Sequence, residues 1–143
     1  ESYLALCNIK LHGYVDMRKA FQLVDVLVIP SKREGFSVVL MEAFASGIPV
    51  IGANVPGVKD AILNEVNGVL FDEGNVDELV EKLLDVVYRP EIIETWGANA
   101  RDYALTNFDC DKKASLENVY EALNSMSLII LIPLLFSIEI KVL

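Results

Sequence analysis

Two carboxylates, Glu34 and Glu42, stand eight positions apart in the stretch PSKREGFSVVLME, Pro30 to Glu42, around a Gly-Phe-Ser turn. Like charges in one neighbourhood repel, so the pair calls either for solvent or for a ligand that donates to both. A carboxylate only accepts hydrogen bonds, and vicinal diols are good donors to it. The chemistry this spacing allows is therefore sugar recognition. Between the two, Gly35 lets the backbone approach a ligand closely. The amides of Phe36, Ser37 and Val38 fall where a helix would begin, as unpaired first-turn donors with the positive end of the helix dipole behind them. A diphosphate suits that position. Glu34 would then accept from the hydroxyls of one sugar, and Glu42, about a turn and a half into the helix, from those of another. The set describes a nucleotide sugar, with hexose on one side and ribose on the other. A plainer reading stands beside it: a glutamate near a helix start complements the dipole, and Glu42 alone also reads as a solvated surface residue.

These residues need elements to place them. Asp25 to Ile29, followed by Pro30, reads as a buried strand. Ser37 to Ser46 reads as a helix with Ser37 at its N-cap and Gly47 as its stop. Pro49 to Gly52 is a second strand, Gly57 to Leu63 a short helix and Gly68 to Phe71 a third strand after the Asn67-Gly68 turn. Asn75 caps a helix, with Glu78 completing a capping-box pattern, and Val76, Leu79, Val80, Leu83, Leu84 and Val87 lie on one face. Pro90 opens a helix running to about Asn107, and a last one covers Lys112 to Leu123. Strands alternating with helices imply βαβ units, hence an open, doubly wound, Rossmann-like α/β domain with a parallel sheet. In such sheets ligands bind beyond the carboxyl ends of the strands, which is where Pro30 to Phe36 falls.

Composition narrows the classes. The chain has 143 residues, enough for one domain or a piece of a larger protein, and its 53% apolar content supports a packed core. A net charge of −9 argues against nucleic-acid binding, which needs a basic footprint, though not against a phosphate-bearing small ligand. Cys7, Cys110 and His12 cannot build a zinc site or a disulfide framework, so no metal is expected. Free thiols fit a reducing cytoplasm. The chain begins at Glu1 with no signal peptide before its first apolar segment, and reads as a fragment or processed product.

At this point the residues resemble the retaining glycosyltransferases of family 4, which have the two-domain GT-B fold. Glu34 and Glu42 match that family's E-x7-E motif. Leu11-His-Gly-Tyr-Val15, Val24 to Ser31, Glu34-Gly-Phe-Ser37, Met41 to Val50, Val55-Pro-Gly57 and Asn67 to Phe71 follow its order and spacing. The resemblance runs from about Asn8 to Leu123. It implies a partial carboxy-terminal, nucleotide-sugar-binding domain over residues 1–124, with residues 125–143 as an atypical hydrophobic tail. It implies that Glu34 orients the hydroxyls of the transferred sugar and acts as the catalytic carboxylate. Gly35, Phe36 and Ser37 would hold that sugar through their amides, the Val38 amide would meet the diphosphate, and Glu42 would take the ribose hydroxyls. Gly13 and Tyr14 would line the base pocket. Neither metal nor cofactor is used in similar enzymes, and the sugar is transferred with retention.

Three departures matter. Ser37 replaces the usual third glycine of the turn, tolerable because its amide makes the contact. His12 stands where an apolar residue is usual and reads as structural. The family's phosphate-binding Arg and Lys, and its acceptor-binding amino-terminal domain, lie upstream of Leu11 and outside this sequence, while Lys32 and Arg33 read as solvated. The resemblance thus implies transfer of a sugar to a glycan or lipid-linked acceptor through a missing amino-terminal domain, with this piece alone inactive. A non-catalytic nucleotide-sugar-binding module, or an inactive remnant, is the alternative. The uncharged stretch Ala122 to Ile138 spans 17 residues, marginal for a membrane helix. It reads either as contact with a membrane, which would place a cytoplasmic protein at the membrane face, or as sequence altered by truncation or frame change.

Overall fold

The computed structural model describes residues 9–11, 16–35, 37–108, 130–132 and 140–142. Along the chain these form β1 (Ile9–Leu11), α1 (Met17–Ala20) continued by a 3-10 turn (Phe21–Leu23), β2 (Val26–Ile29), α2 (Val38–Ala45), β3 (Val50–Ala53), β4 (Gly68–Phe71), α3 (Val76–Tyr88), α4 (Glu91–Asn107), β5 (Ile130–Ile132) and β6 (Ile140–Val142).

Every residue of β2 and β3 is buried. An aliphatic run with no polar alternation has no face to offer water, so it settles in the middle of a sheet covered on both sides. The two strands pair in parallel, Leu27 opposite Val50 and Ile29 opposite Gly52, and β4 adds in parallel to β3 with Val50 opposite Gly68. This parallel three-strand unit, with α2 crossing from β2 to β3, is the α/β arrangement expected. On its other side β5 runs antiparallel to β2, and β6 joins β5 antiparallel and β1 in parallel, so the order is β1-β6-β5-β2-β3-β4. Two pieces of the hydrophobic tail thus pair within the main sheet. Among the described residues no helix is long and apolar enough to cross a membrane. The helix read at Lys112 to Leu123 lies outside the described residues.

Helix α2 stops as the sequence indicates. Gly47 takes φ +75°, its N–H donates to the Phe44 carbonyl at 2.9 Å, and the Ile48 N–H reaches the Ala43 carbonyl at 2.9 Å, a Schellman stop. Helix α4 lies across α2: Phe44 meets the Tyr103 ring edge-on at 5.9 Å, and Tyr103 meets Phe108 at 5.7 Å. Asn75 caps α3, accepting from the Glu78 N–H at 3.1 Å. The Glu78 carboxylate does not take the Asn75 backbone N–H, which donates to the Asp72 carbonyl; it accepts instead from the Asn75 side-chain Nδ2 at 3.2 Å and from the Asp72 N–H at 2.8 Å, and so closes the loop from β4.

Three local expectations are corrected. Gly57 to Leu63 is not a helix but a set of turns, with the Val58 and Lys59 N–H groups both donating to the Val55 carbonyl. A left-handed Gly57, φ +84°, after Pro56 breaks the helical run before it can propagate. Ser37 occupies the N-cap of α2, yet its side chain makes no cap bond. On α3 only part of the apolar set faces the core. Val86 is buried and Leu79, Leu83 and Val87 half-buried, whereas Val76, Val80 and Leu84 are exposed. The helix is apolar over more than the width the sheet can cover.

Candidate functional site

The carboxyl end of β2 delivers the chain through Pro30 into a loop that turns back as α2. Ser31, 8% exposed, donates its hydroxyl to Glu34 Oε1 at 2.8 Å. Glu34 is half-buried, so this bond aims a carboxylate that water still reaches. Gly35 is exposed, and a Cβ placed there would meet nothing within 4 Å. Lys32 and Arg33 are exposed, as read from the sequence.

The first intrahelical bond of α2 runs from the Met41 N–H to the Ser37 carbonyl at 3.2 Å. The Val38, Val39 and Leu40 amides therefore have no helical acceptor. The first turn of α2 carries no acidic side chain, so the positive end of the helix is not offset from within it. Leu40, Ala43 and Phe44 anchor the opposite face in the core, which leaves Glu42 exposed one turn beyond Val38, roughly 6 Å along the axis. Glu34, Gly35, Ser37, Val38 and Glu42 are thus brought to one end of the sheet and the start of one helix. Gly13, Tyr14 and Phe36, and with them the base pocket, lie outside the described residues.

Two residues that matter here escaped the reading by spacing. Ser31 could have been noticed as a hydroxyl three positions before a loop glutamate, a spacing that lets side chains meet across a turn. Gly57, from the loop after β3, sits directly behind the main-chain carbonyls of Glu34 and Gly35: a Cβ there would lie 2.8 Å from the Glu34 carbonyl oxygen and closer still to that of Gly35. Its N–H donates to Asp60 Oδ2 at 3.1 Å. No pattern in the sequence announces a contact between those two loops. Among the described residues no group of three His, Cys, Asp or Glu side chains could hold a metal ion.

Residues 1–103 match the family model described as Glycosyl transferases group 1. An uncharacterized glycosyltransferase of Methanocaldococcus jannaschii is 33% identical over 127 residues, 83% of this chain and 35% of the relative. The capsular polysaccharide biosynthesis glycosyltransferase CapM of Staphylococcus aureus is 33% identical over 103 residues, 72% of this chain and 26% of the relative. Anabaena HepE, solved in complex with UDP-glucose, superposes with a TM-score of 0.66 at 25% identity, covering 79% of this chain and 31% of that one. The chain spans about a third or less of the length of these proteins.

Proposed function

The chain belongs to the group 1 family of glycosyltransferases and shares its fold with GT-B members, and on that premise we propose that it is the donor-binding part of a retaining enzyme of the E-x7-E type. The observation that carries the reading is a carboxylate, Glu34, held by Ser31 beside a helix start with free first-turn amides and no acid of its own. Glu34 orients the hydroxyls of the transferred sugar, with the amides of Gly35, Phe36 and Ser37 around it. The Val38 amide and the α2 dipole take the diphosphate, Glu42 takes the ribose, and Gly13 and Tyr14 line the base. A departing nucleoside diphosphate gathers negative charge at the α2 terminus, where fixed donors stabilise it without reorganising and without a metal.

The UDP-glucose in the HepE complex supports a nucleoside-diphosphate hexose as donor. The likeness to CapM, a capsular polysaccharide biosynthesis glycosyltransferase, supports a place in polysaccharide assembly; the acceptor in this reading is a glycan or lipid-linked one, met at the cytoplasmic face of a membrane. A nucleotide-sugar-binding module without transfer, or an inactive remnant, is the second reading.

Titration calorimetry with UDP and UDP-glucose tests the donor site. Glu42→Ala should weaken UDP about tenfold, the loss of one charge-assisted hydrogen bond of roughly 1.5 kcal/mol. An unchanged affinity would remove Glu42 from the ribose. Binding with no transfer to any acceptor would favour the binding module.

A further inference from the structure

We infer that Gly57, from the loop between β3 and β4, is a positioning residue that holds the main-chain carbonyls of Glu34 and Gly35 in register for the transferred sugar; this rests on the donor-site reading above. The contact is between backbones. A Cβ on Gly57 would come 1.7 Å from the Gly35 carbonyl oxygen, 2.8 Å from the Gly35 carbonyl carbon and 2.8 Å from the Glu34 carbonyl oxygen. Ordinary carbon–oxygen contacts begin near 3.3 Å, so a methyl group there drives the main chain back by roughly 1.5 Å. No side-chain rotation relieves it, because every atom met is main chain.

Which loop gives way follows from what anchors each. Gly57 sits between Val55 and Val58, both buried, its N–H is tied to Asp60 Oδ2, and the Val58 and Lys59 amides both reach the Val55 carbonyl. Gly35 is exposed and has open space on its Cβ side. The Gly57 turn is the stop and the main chain at Glu34 and Gly35 is the part that moves. Ser31 restrains the Glu34 carboxylate, and Gly57 restrains the main-chain carbonyls of Glu34 and Gly35. A displacement of about 1 Å at a reacting group costs on the order of a hundredfold in productive geometry.

Position 74 supplies a matched control. Gly74 has φ +79°, close to the +84° of Gly57, but a Cβ there meets nothing within 4 Å. Gly74→Ala carries the left-handed backbone strain alone, whereas Gly57→Ala carries the strain and the displacement. Binding of UDP and of UDP-glucose by the wild-type chain and both variants is measured by calorimetry, with thermal melting alongside.

Gly57→Ala is expected to weaken UDP-glucose ten- to a hundredfold while UDP, which lacks the sugar, changes less than threefold. Gly74→Ala should keep both affinities, with a smaller loss in Tm. Equal losses for UDP and UDP-glucose in Gly57→Ala, or no loss for either, would overturn the positioning role. A wild-type chain that binds neither nucleotide would instead remove the donor reading on which the role depends. If Gly57→Ala does not fold, Asp60→Ala, which only releases the Gly57 amide, should show the same sugar-specific loss at about threefold, and parallel changes for the two ligands would count against the inference.

Discussion

Replacing Ser31 by alanine deletes one hydroxyl from the site and little else. The oxygen lies 2.8 Å from Glu34 Oε1 and the residue is 8% exposed, so an alanine leaves a small gap without backbone strain. A hydrogen bond to a charged group contributes about 1.5–3 kcal/mol. Because Glu34 is only half-buried, water replaces part of the lost partner, and a stability loss of about 0.5–1 kcal/mol is expected. The larger effect falls on the ligand. In the wild type Ser31 helps to orient the carboxylate, whereas Ser31→Ala removes that restraint, and the rotamer freedom regained must be given up on binding, at a cost of up to about 1.5–2 kcal/mol. UDP-glucose affinity should therefore fall three- to tenfold, and UDP affinity should stay within a factor of two, since the proposed donor site sets Glu34 at the transferred sugar. Ser31→Thr, which keeps the hydroxyl, should recover most of the loss. Calorimetry with both nucleotides and urea melts of the three proteins decide the matter. Wild-type UDP-glucose affinity in Ser31→Ala would show that Glu34 does not rely on this bond.

Asn67 is fully buried and takes both of its bonds locally, accepting from the Leu63 N–H at 2.8 Å and donating to the Ala61 carbonyl at 3.2 Å; Asn67→Ala leaves both groups unpaired and should cost about 2–4 kcal/mol in urea unfolding. Gly97 brings α4 against the end of α2, and a Cβ there would meet the Gly47 carbonyl oxygen at 2.3 Å. Gly97→Ala should destabilise by about 1–3 kcal/mol and shift the fluorescence of Trp96, the chain's single tryptophan. On α3, Val86→Ala should cost about 1.5–2.5 kcal/mol, while Val80→Ser, at a position 47% exposed, should stay within about 0.5 kcal/mol. Equal losses at the two sites would mean that the helix buries a different face.

What the sequence determined by itself was whatever short-range physics decides. The aliphatic run Val26 to Ile29 cannot face water, Gly47 can end a helix in the left-handed region, and Asn75 can accept from an amide three residues on; each signal reads the same in any context, and each holds in the structure. The ordered motifs about Glu34 and Glu42 were legible for the same reason, since the β2 loop and the start of α2 carry them on one continuous stretch. Short-range signals misled where a neighbour set the outcome. The apolar set on α3 exceeds the face its sheet can cover, so Val76, Val80 and Leu84 stay outside. The turns at Gly57 replace a helix because one glycine takes φ +84°. Only the tertiary structure decided that β5 enters the sheet antiparallel beside β2, and that Gly57 stands against the carbonyl of Gly35. Both depend on backbone atoms far apart in the chain coming together; a glycine permits a close approach, but backbone atoms are the same for every residue type, so nothing along the sequence names the partner that is approached.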